Sequence, residues 1–296
     1  MKFSALILLL FCVSACQKAP LEEVTEASQV QVNEIKVKES TQEKDSAKEG
    51  RLKKDGTRQA WTDYSKYAEV DEDGYAYYMQ ENPDISSEIF PLYDSGDHKV
   101  LLFTFDDTPQ RPDSYALEIA QQLKAKDVNA IFLVNGMFLT EEKGRKITKQ
   151  IYDMGFEIGN HTQHHPNLKE MTYDQQYQEI KQTSDLVEEI TGEKPRWFRP
   201  PFGLFNMDTY QICRELEMQL MTWNFGYDWM DDYLESEALL EVSLNNDYLR
   251  AGANILMHDR PWTNDAISRM VDGYREQGYH IVDPLLIRKP NFEKES

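Results

Sequence analysis

The 296-residue chain carries 52 Asp and Glu against 32 Lys and Arg, a formal net charge of −20. Residues 17–60 hold nine acids and nine bases, so nearly all of the excess falls on residues 61–296. So acidic a surface argues against nucleic acid and anionic lipid as ligands, and it identifies no substrate because solubility alone accounts for an acidic face.

Met1-Lys2 precedes an apolar stretch, Phe3 to Val13, and then Ser14-Ala15-Cys16. A charged start, a short apolar run and small residues before a break describe a signal peptide, and the run is too short to span a bilayer. The Val-Ser-Ala-Cys ending resembles a bacterial lipobox, so residues 1–15 are expected to be removed and Cys16 lipidated. Residues 16–60 are rich in Glu, Lys, Gln, Ser and Thr and lack aromatics. They cannot bury enough apolar area to offset their ordering entropy and read as a disordered charged tether. The expected location is the extracytoplasmic side of a cell membrane, held by the lipid. Cys12 would leave with the signal, and Cys213 stands alone in a helical pattern, which reads as a small core residue.

Residues 61–97, with Trp61, Tyr64, Tyr67, Tyr75, Tyr77 and Tyr78, read as an ordered N-terminal extension packing on the domain that begins at residue 98. From residue 98 to 287 short apolar runs alternate with amphipathic stretches. The strands are expected at 100–105, 129–135, 156–160, 196–199, 219–224, 254–258 and 279–283. Between them helices are expected at 112–126, 140–154, 172–191, 206–217, 235–250 and 264–277. Ala116, Ile119, Ala120 and Leu123 share one face of the first helix, and Ile147, Ile151 and Met154 one face of the second. Pro112 fits a helix start, and Gly155, Gly192 and Gly278 fit helix stops. Residues 288–296 read as a tail. Seven strands with six intervening helices predict an α/β fold with parallel strands. Asp106-Asp107, Asn135, His161, Arg199, Asp228 and His258 each fall at or just after a strand's C-terminal end. Such a ring of polar residues favours a distorted (β/α) barrel over an open sheet, whose chemistry gathers near one switch point.

Two carboxylates at the tip of the apolar run Val100 to Phe105 need a compensating charge. His161 and His165, four apart, would share one face of a helical turn and could bind a metal together. Two His and one carboxylate with open positions suit a hydrolytic metal site, which leaves the other aspartate free as a base. Arg199, stiffened by Pro200-Pro201, can pin a carboxylate and keep it ionised. His258 is the natural general acid, with Asp228 placed to orient it. His164 would point away from the pair, and His98 and His280 flank strands with no partner in view. Trp223, Trp229, Trp262 and Phe202 could supply apolar walls for a bound substrate, although Trp223 fits the core as well.

These segments resemble the NodB-like polysaccharide deacetylases of carbohydrate esterase family 4. Thr104-Phe105-Asp106-Asp107, His161-Thr162-x-x-His165-Pro166, Arg199-Pro200-Pro201-Phe202-Gly203, Asp228-Trp229 and Leu256-Met257-His258 follow that family's five motifs in order, over about residues 98–285. The resemblance implies a divalent metal, Zn2+ foremost with Co2+, Ni2+ or Mn2+ as alternatives, bound by Asp107, His161 and His165. It implies Asp106 as base, steadied by Arg199, and His258 as acid, supported by Asp228. The Phe202 amide would hold the oxyanion. Two departures stand out. Thr108 replaces the glycine usual after the paired aspartates, where a positive φ would strain a β-branched residue. Asn224-Phe225-Gly226-Tyr227 lacks the aspartate usual before Asp228-Trp229, and the segment is shortened, which bears on Asp228 and the substrate rim.

The reading is a lipid-anchored, metal-dependent N-deacetylase of an N-acetylglucosamine-containing envelope polysaccharide, peptidoglycan first. Chitin oligomers, poly-N-acetylglucosamine and acetylated xylan are the alternative substrates. The rival readings are another amide hydrolase on the same barrel and a catalytically weakened glycan-binding lipoprotein. A two-carboxylate glycosidase is disfavoured, because adjacent aspartates cannot flank a glycosidic bond from opposite sides.

Overall fold

Nine residues from Val100 to Thr108 (β3) form the longest strand, and eight of them are buried. A strand covered on both faces is what a parallel sheet requires of its centre. A computed structural model describes residues 58, 60–61, 68–80, 87–109, 114–290 and 292. The expected signal peptide, Cys16, nearly all of the tether, Tyr64, Tyr67 and Pro112 lie outside the described residues. Among the described residues no helix is long and apolar enough to cross a membrane.

Around β3 stand Ile131–Val134 (β4), Glu157–Asn160 (β5), Trp197–Phe198 (β6), Gln219–Leu220 (β7), Ala253–His258 (β8) and His280–Ile281 (β9). Their order is β7-β6-β5-β4-β3-β8, with β9 also on β3, and every pairing is parallel. Five residues after β7, Phe225 bridges Ile255 of β8. The segment after β7 thus reaches the far edge of the sheet, and the strands curl into a distorted, half-closed (β/α) barrel of six to seven parallel strands. All seven expected strands are present, most of them shorter than the apolar runs that predicted them.

Six helices intervene: Ala116–Ala125 (α1), Glu142–Asp153 (α2), Tyr173–Thr191 (α3), Met207–Glu215 (α4), Ser236–Leu244 (α5) and Pro261–Glu276 (α6). In α1 the buried residues are Ala116, Ile119, Ala120 and Leu123, the face read from spacing. A reciprocal capping box of Thr172 and Gln175 starts α3, and Gly192 ends it at φ 81°. Asn206 and Thr209 form the same device at α4.

The period of two along β3 sorts its side chains. Leu101, Phe103 and Phe105 pack in the layer shared with α1 and α6. Val100 and Leu102 face the other way, toward Ile131, Leu133 and Trp197. That second cluster also holds Tyr77, Met79 and Ile89 from a small sheet that the sequence patterning does not predict. There Tyr77–Met79 (β1) pairs antiparallel with Ile89–Pro91 (β2) and parallel with Ile287–Arg288 (β10). Strands of two or three residues leave too little periodicity to read.

The N-terminal ends of the strands carry a charged cluster. Glu157, the first residue of β5, is buried and accepts from Arg196 Nε at 2.8 Å, from Trp197 Nε1 at 3.1 Å and from Arg58. Arg58 falls in the segment expected to be a tether, yet its guanidinium also bonds the Phe156 carbonyl at 3.1 Å and lies over the Tyr152 ring. Burial opposes charge on Glu157, but Arg58 and Arg196 hold its carboxyl below the usual range. Its stabilising charge is therefore present above the ordinary carboxylate pKa and is lost as pH falls through the depressed value. Glu157→Gln is expected to lower folding stability by about 3 kcal/mol, as breaking a buried pair does, measured as a shifted urea midpoint.

Candidate active site

At the opposite, C-terminal end of the strands the polar residues of β3 meet those of β8. Asp106 and His258 are register partners. Side chains of adjacent strand residues should point to opposite faces, so Asp106 and Asp107 could not both enter one site from a regular strand. An irregularity solves this. Phe105 pairs with Phe132 but Thr108 with Val134, so β3 spends one extra residue, and Asp107 takes φ 57°. A bulge of this kind re-aims a side chain. Thr108 itself is not strained: the positive φ belongs to Asp107, and the buried Thr108 hydroxyl donates to the Leu133 carbonyl at 3.2 Å. The expectation of strain at Thr108 is thereby corrected.

The histidine pair does not lie on a helical turn, as expected from its spacing. Residues 161–167 form an irregular loop, with Thr162 at φ 68° and His165 at φ 58°. The Thr162 amide donates to Asn160 Oδ1 at 2.8 Å, and the His165 amide to Thr162 Oγ1 at 3.1 Å. This arrangement aims both rings at Asp107, whose Oδ1 is 3.7 Å from His161 Nε2 and 3.6 Å from His165 Nε2. One ligand atom from each of Asp107, His161 and His165 falls within 4.8 Å of the others, a possible Asp/His/His metal site. His164 stays outside, bonded to Glu179 at 2.8 Å.

The donor set suits a divalent cation. His161 Nδ1 lies 2.7 Å from the Arg199 carbonyl, so that nitrogen donates and Nε2 keeps its lone pair toward Asp107. Burial and then His161 push the His165 imidazole down, which favours its neutral, ligating form. Burial resists charge on Asp107, yet the three imidazoles and a 2.5 Å bond from Asn135 Nδ2 keep its carboxyl below the usual range.

Asp106 is held on the other side. Its Oδ1 accepts from Arg199 Nη1 at 2.6 Å, and its Oδ2 lies 3.7 Å from His161 Nε2. Arg199 is fully buried; its Nη1 also reaches Thr104 Oγ1 and its Nη2 the Thr222 carbonyl and Asn254 Oδ1, at 2.9–3.1 Å, while its Nε meets no partner among the described residues. Burial draws the guanidinium down from its ordinary value, and Asp106 opposes that.

Asp228 sits where the shortened fourth segment left its role open. It is fully buried, accepting from His258 Nδ1 at 2.8 Å, the His258 amide at 2.6 Å and Thr263 Oγ1 at 2.7 Å. Burial works against charge on His258, but the Asp228 carboxylate outweighs it and raises the imidazole to about 9. Gly226 makes the short route possible: a Cβ there would stand 2.3 Å from the Leu256 carbonyl and 2.6 Å from the Trp229 ring.

The four aromatics proposed as walls divide. Phe202 is 61% exposed, with its ring 4.5 Å from that of His165, and Trp229 is 43% exposed, 5.4 Å from His258. Trp262 is half-buried and donates to the Asp228 carbonyl at 2.7 Å, while the half-buried Trp223 packs against Gly203. Phe202 takes φ 60°, and its amide meets no acceptor among the described residues. Asn135, Asn160, Thr104, Asn254 and Thr263 complete the site, and none was given a role from sequence. Asn135 carried a signal in its place at a strand tip, and Thr104 in its place in the first motif.

A parallel barrel with carboxylates, imidazoles and a buried arginine converging at the strands' C-terminal ends defines a hydrolase-type (β/α) site. The polysaccharide deacetylase family model matches residues 94–221. A mutant of a carbohydrate esterase family 4 pseudoenzyme from Bacillus anthracis, with restored enzymatic activity, superposes at TM-score 0.58 with 30% identity. The match covers 64% of this chain and 69% of that one. PdaC, a peptidoglycan deacetylase of Bacillus subtilis, superposes at TM-score 0.55 with 27% identity over 63% of this chain and 88% of that one. The peptidoglycan-N-acetylglucosamine deacetylase of Bacillus cereus is 28% identical over 185 residues, 60% of this chain and 64% of its own length. The chain spans about half the length, 51%, of the uncharacterised Bacillus subtilis protein YlxY, at 26% identity. This chain belongs to carbohydrate esterase family 4, the polysaccharide deacetylases.

Proposed function

We propose that the protein is a metal-dependent N-deacetylase of an N-acetylglucosamine-containing envelope polysaccharide, peptidoglycan foremost. The observation that carries this is the pairing of Asp106 with His258 on neighbouring strands, beside the Asp107, His161 and His165 cluster. Peptidoglycan as substrate is supported by the names of the Bacillus cereus and Bacillus subtilis relatives. Asp107, His161 and His165 would hold the cation, Zn2+ foremost, which supplies Lewis-acid polarisation when bound. Asp106, held in place by its bond to Arg199, takes the proton of the attacking water. The Phe202 amide, which meets no acceptor among the described residues, would donate to the developing oxyanion. His258, protonated beside Asp228, gives a proton to the leaving sugar amine. Phe202 and Trp229 offer exposed rings to the glycan on either side.

A glycan-binding protein without activity is the second reading, raised by the altered fourth motif and by the pseudoenzyme among the relatives. Against it stand Asp228 in contact with His258 and Asp106 in contact with Arg199. The test is acetate release from peptidoglycan, chitin oligomers, poly-N-acetylglucosamine and acetylated xylan, with and without a chelator. Release that the chelator stops is the expected result, and no release from any polymer would favour the binding protein. Asp107→Ala is expected to lose the metal in equilibrium dialysis and the activity with it. We also propose that lipidated Cys16 anchors the protein to a membrane on its extracytoplasmic side. Cys16→Ser should then move the protein from the membrane to the soluble fraction.

A further inference from the structure

The tip of β4 contacts Asp107, His161 and the loop that leads on to His165. The Val134 carbonyl accepts from the His161 amide at 2.9 Å, the Gly136 amide donates to the Thr162 carbonyl at 3.0 Å, and the Met137 amide to the Gln163 carbonyl at 2.8 Å. Those three bonds fix the loop that carries both histidines. Gly136 permits the approach, since a Cβ would stand 1.9 Å from Gln163 Oε1 and 2.4 Å from Thr183 Oγ1. Between these backbone contacts lies Asn135, which is 1% exposed and donates through Nδ2 to Asp107 Oδ1 at 2.5 Å.

Two features separate Asn135 from an ordinary structural asparagine. It occupies the N-cap position of the short 3-10 helix Gly136–Thr140, the place where an asparagine side chain normally caps, yet it makes no capping bond. Its Oδ1 is buried with no partner among the described residues, so its one side-chain bond is the one to Asp107. The amide orientation is set by the carboxylate, because an oxygen turned toward Asp107 would oppose it. The oxygen Asn135 grips is also the one that faces His161 and His165.

We propose that Asn135 is a positioning residue for metal binding: it locks the Asp107 carboxylate in the rotation that presents Oδ1 to the two imidazoles, from the same strand tip that holds the histidine loop. This rests on the proposed metal site. Outer partners of ligating groups typically tune affinity by 10- to 100-fold.

The test uses chelator-stripped full-length protein, Zn2+ competition titrations and the visible spectrum of added Co2+. Asn135→Ala is expected to bind Zn2+ about 10- to 100-fold more weakly and to shift the Co2+ spectrum, while the metal-free protein melts at the wild-type temperature. Asn135→Ser retains a donor on a shorter arm and should fall between the two, which keeps the test usable if the alanine variant folds poorly. Wild-type affinity and an unchanged Co2+ spectrum in both variants would overturn the proposal. If the wild-type protein itself bound neither ion, the metal-site reading would fail instead.

Discussion

Asp106→Asn is expected to lower the rate of acetate release by about 10²- to 10⁴-fold, the range lost with a general base, while Zn2+ affinity stays near wild type. The candidate metal cluster is Asp107, His161 and His165, and Asp106 is not a member of it, although its Oδ2 lies 3.7 Å from His161 Nε2. It does remove the one negative charge bonded to Arg199, whose other acceptors are a hydroxyl, a carbonyl and an amide oxygen. A fully buried guanidinium left with neutral partners costs about 3 kcal/mol of folding stability, the low end for a broken buried pair because those acceptors remain. Urea unfolding of the metal-free protein measures this. Removing both charges, as in Asp106→Asn with Arg199→Met, should cost less than the sum of the single changes, since neither is then stranded. Undiminished acetate release by Asp106→Asn would exclude it as the base, and lost Zn2+ binding would place it among the ligands.

The barrel was legible because its helices are patterned over many residues, and its strands, though β6, β7 and β9 have two residues each, fall in regular alternation with them. The face of α1 and the glycine stops after α2, α3 and α6 follow from spacing and from φ alone. Contacts far apart in sequence were not: β1, β2 and β10 are two or three residues long, and Arg58 reaches Glu157 from 99 residues away. At the site, sequence brought Asp107, His161 and His165 together but did not show the backbone that aims them. Asp107, Thr162, His165 and Phe202 all have positive φ, four of the six such non-glycine residues among those described. Nothing in an Asp, Thr, His or Phe announces that conformation, which costs of order 1–3 kcal/mol and persists where surrounding bonds enforce it. Here Asn160 to Thr162, Thr162 to His165 and the β4 tip provide that enforcement. The helical turn inferred from the His-x-x-x-His spacing was therefore the right pairing reached through the wrong local geometry.

The same logic makes His258 a sharp test of the acid step. Its protonated form is the donor, so activity should fall as pH rises through its pKa, about 9 in the metal-free protein. That value depends chiefly on Asp228, and a nearby bound cation would lower it in wild type and variant alike. Asp228→Asn should therefore move the alkaline limb of kcat/KM to lower pH, toward the ordinary imidazole value near 6.5. His258→Gln should remove the limb and about 10²- to 10⁴-fold of the rate. The stability sign agrees: the folded value is raised, so the charge stabilises the metal-free protein below pH 6.5 and that contribution is lost as pH rises through 9. Asp228→Asn should flatten this dependence in melting curves taken from pH 6 to 10. A limb that stays in place in Asp228→Asn while the rate alone drops would mean that another group donates the proton. Asp228 would then serve the fold, by holding the His258 amide and Thr263, and not the chemistry.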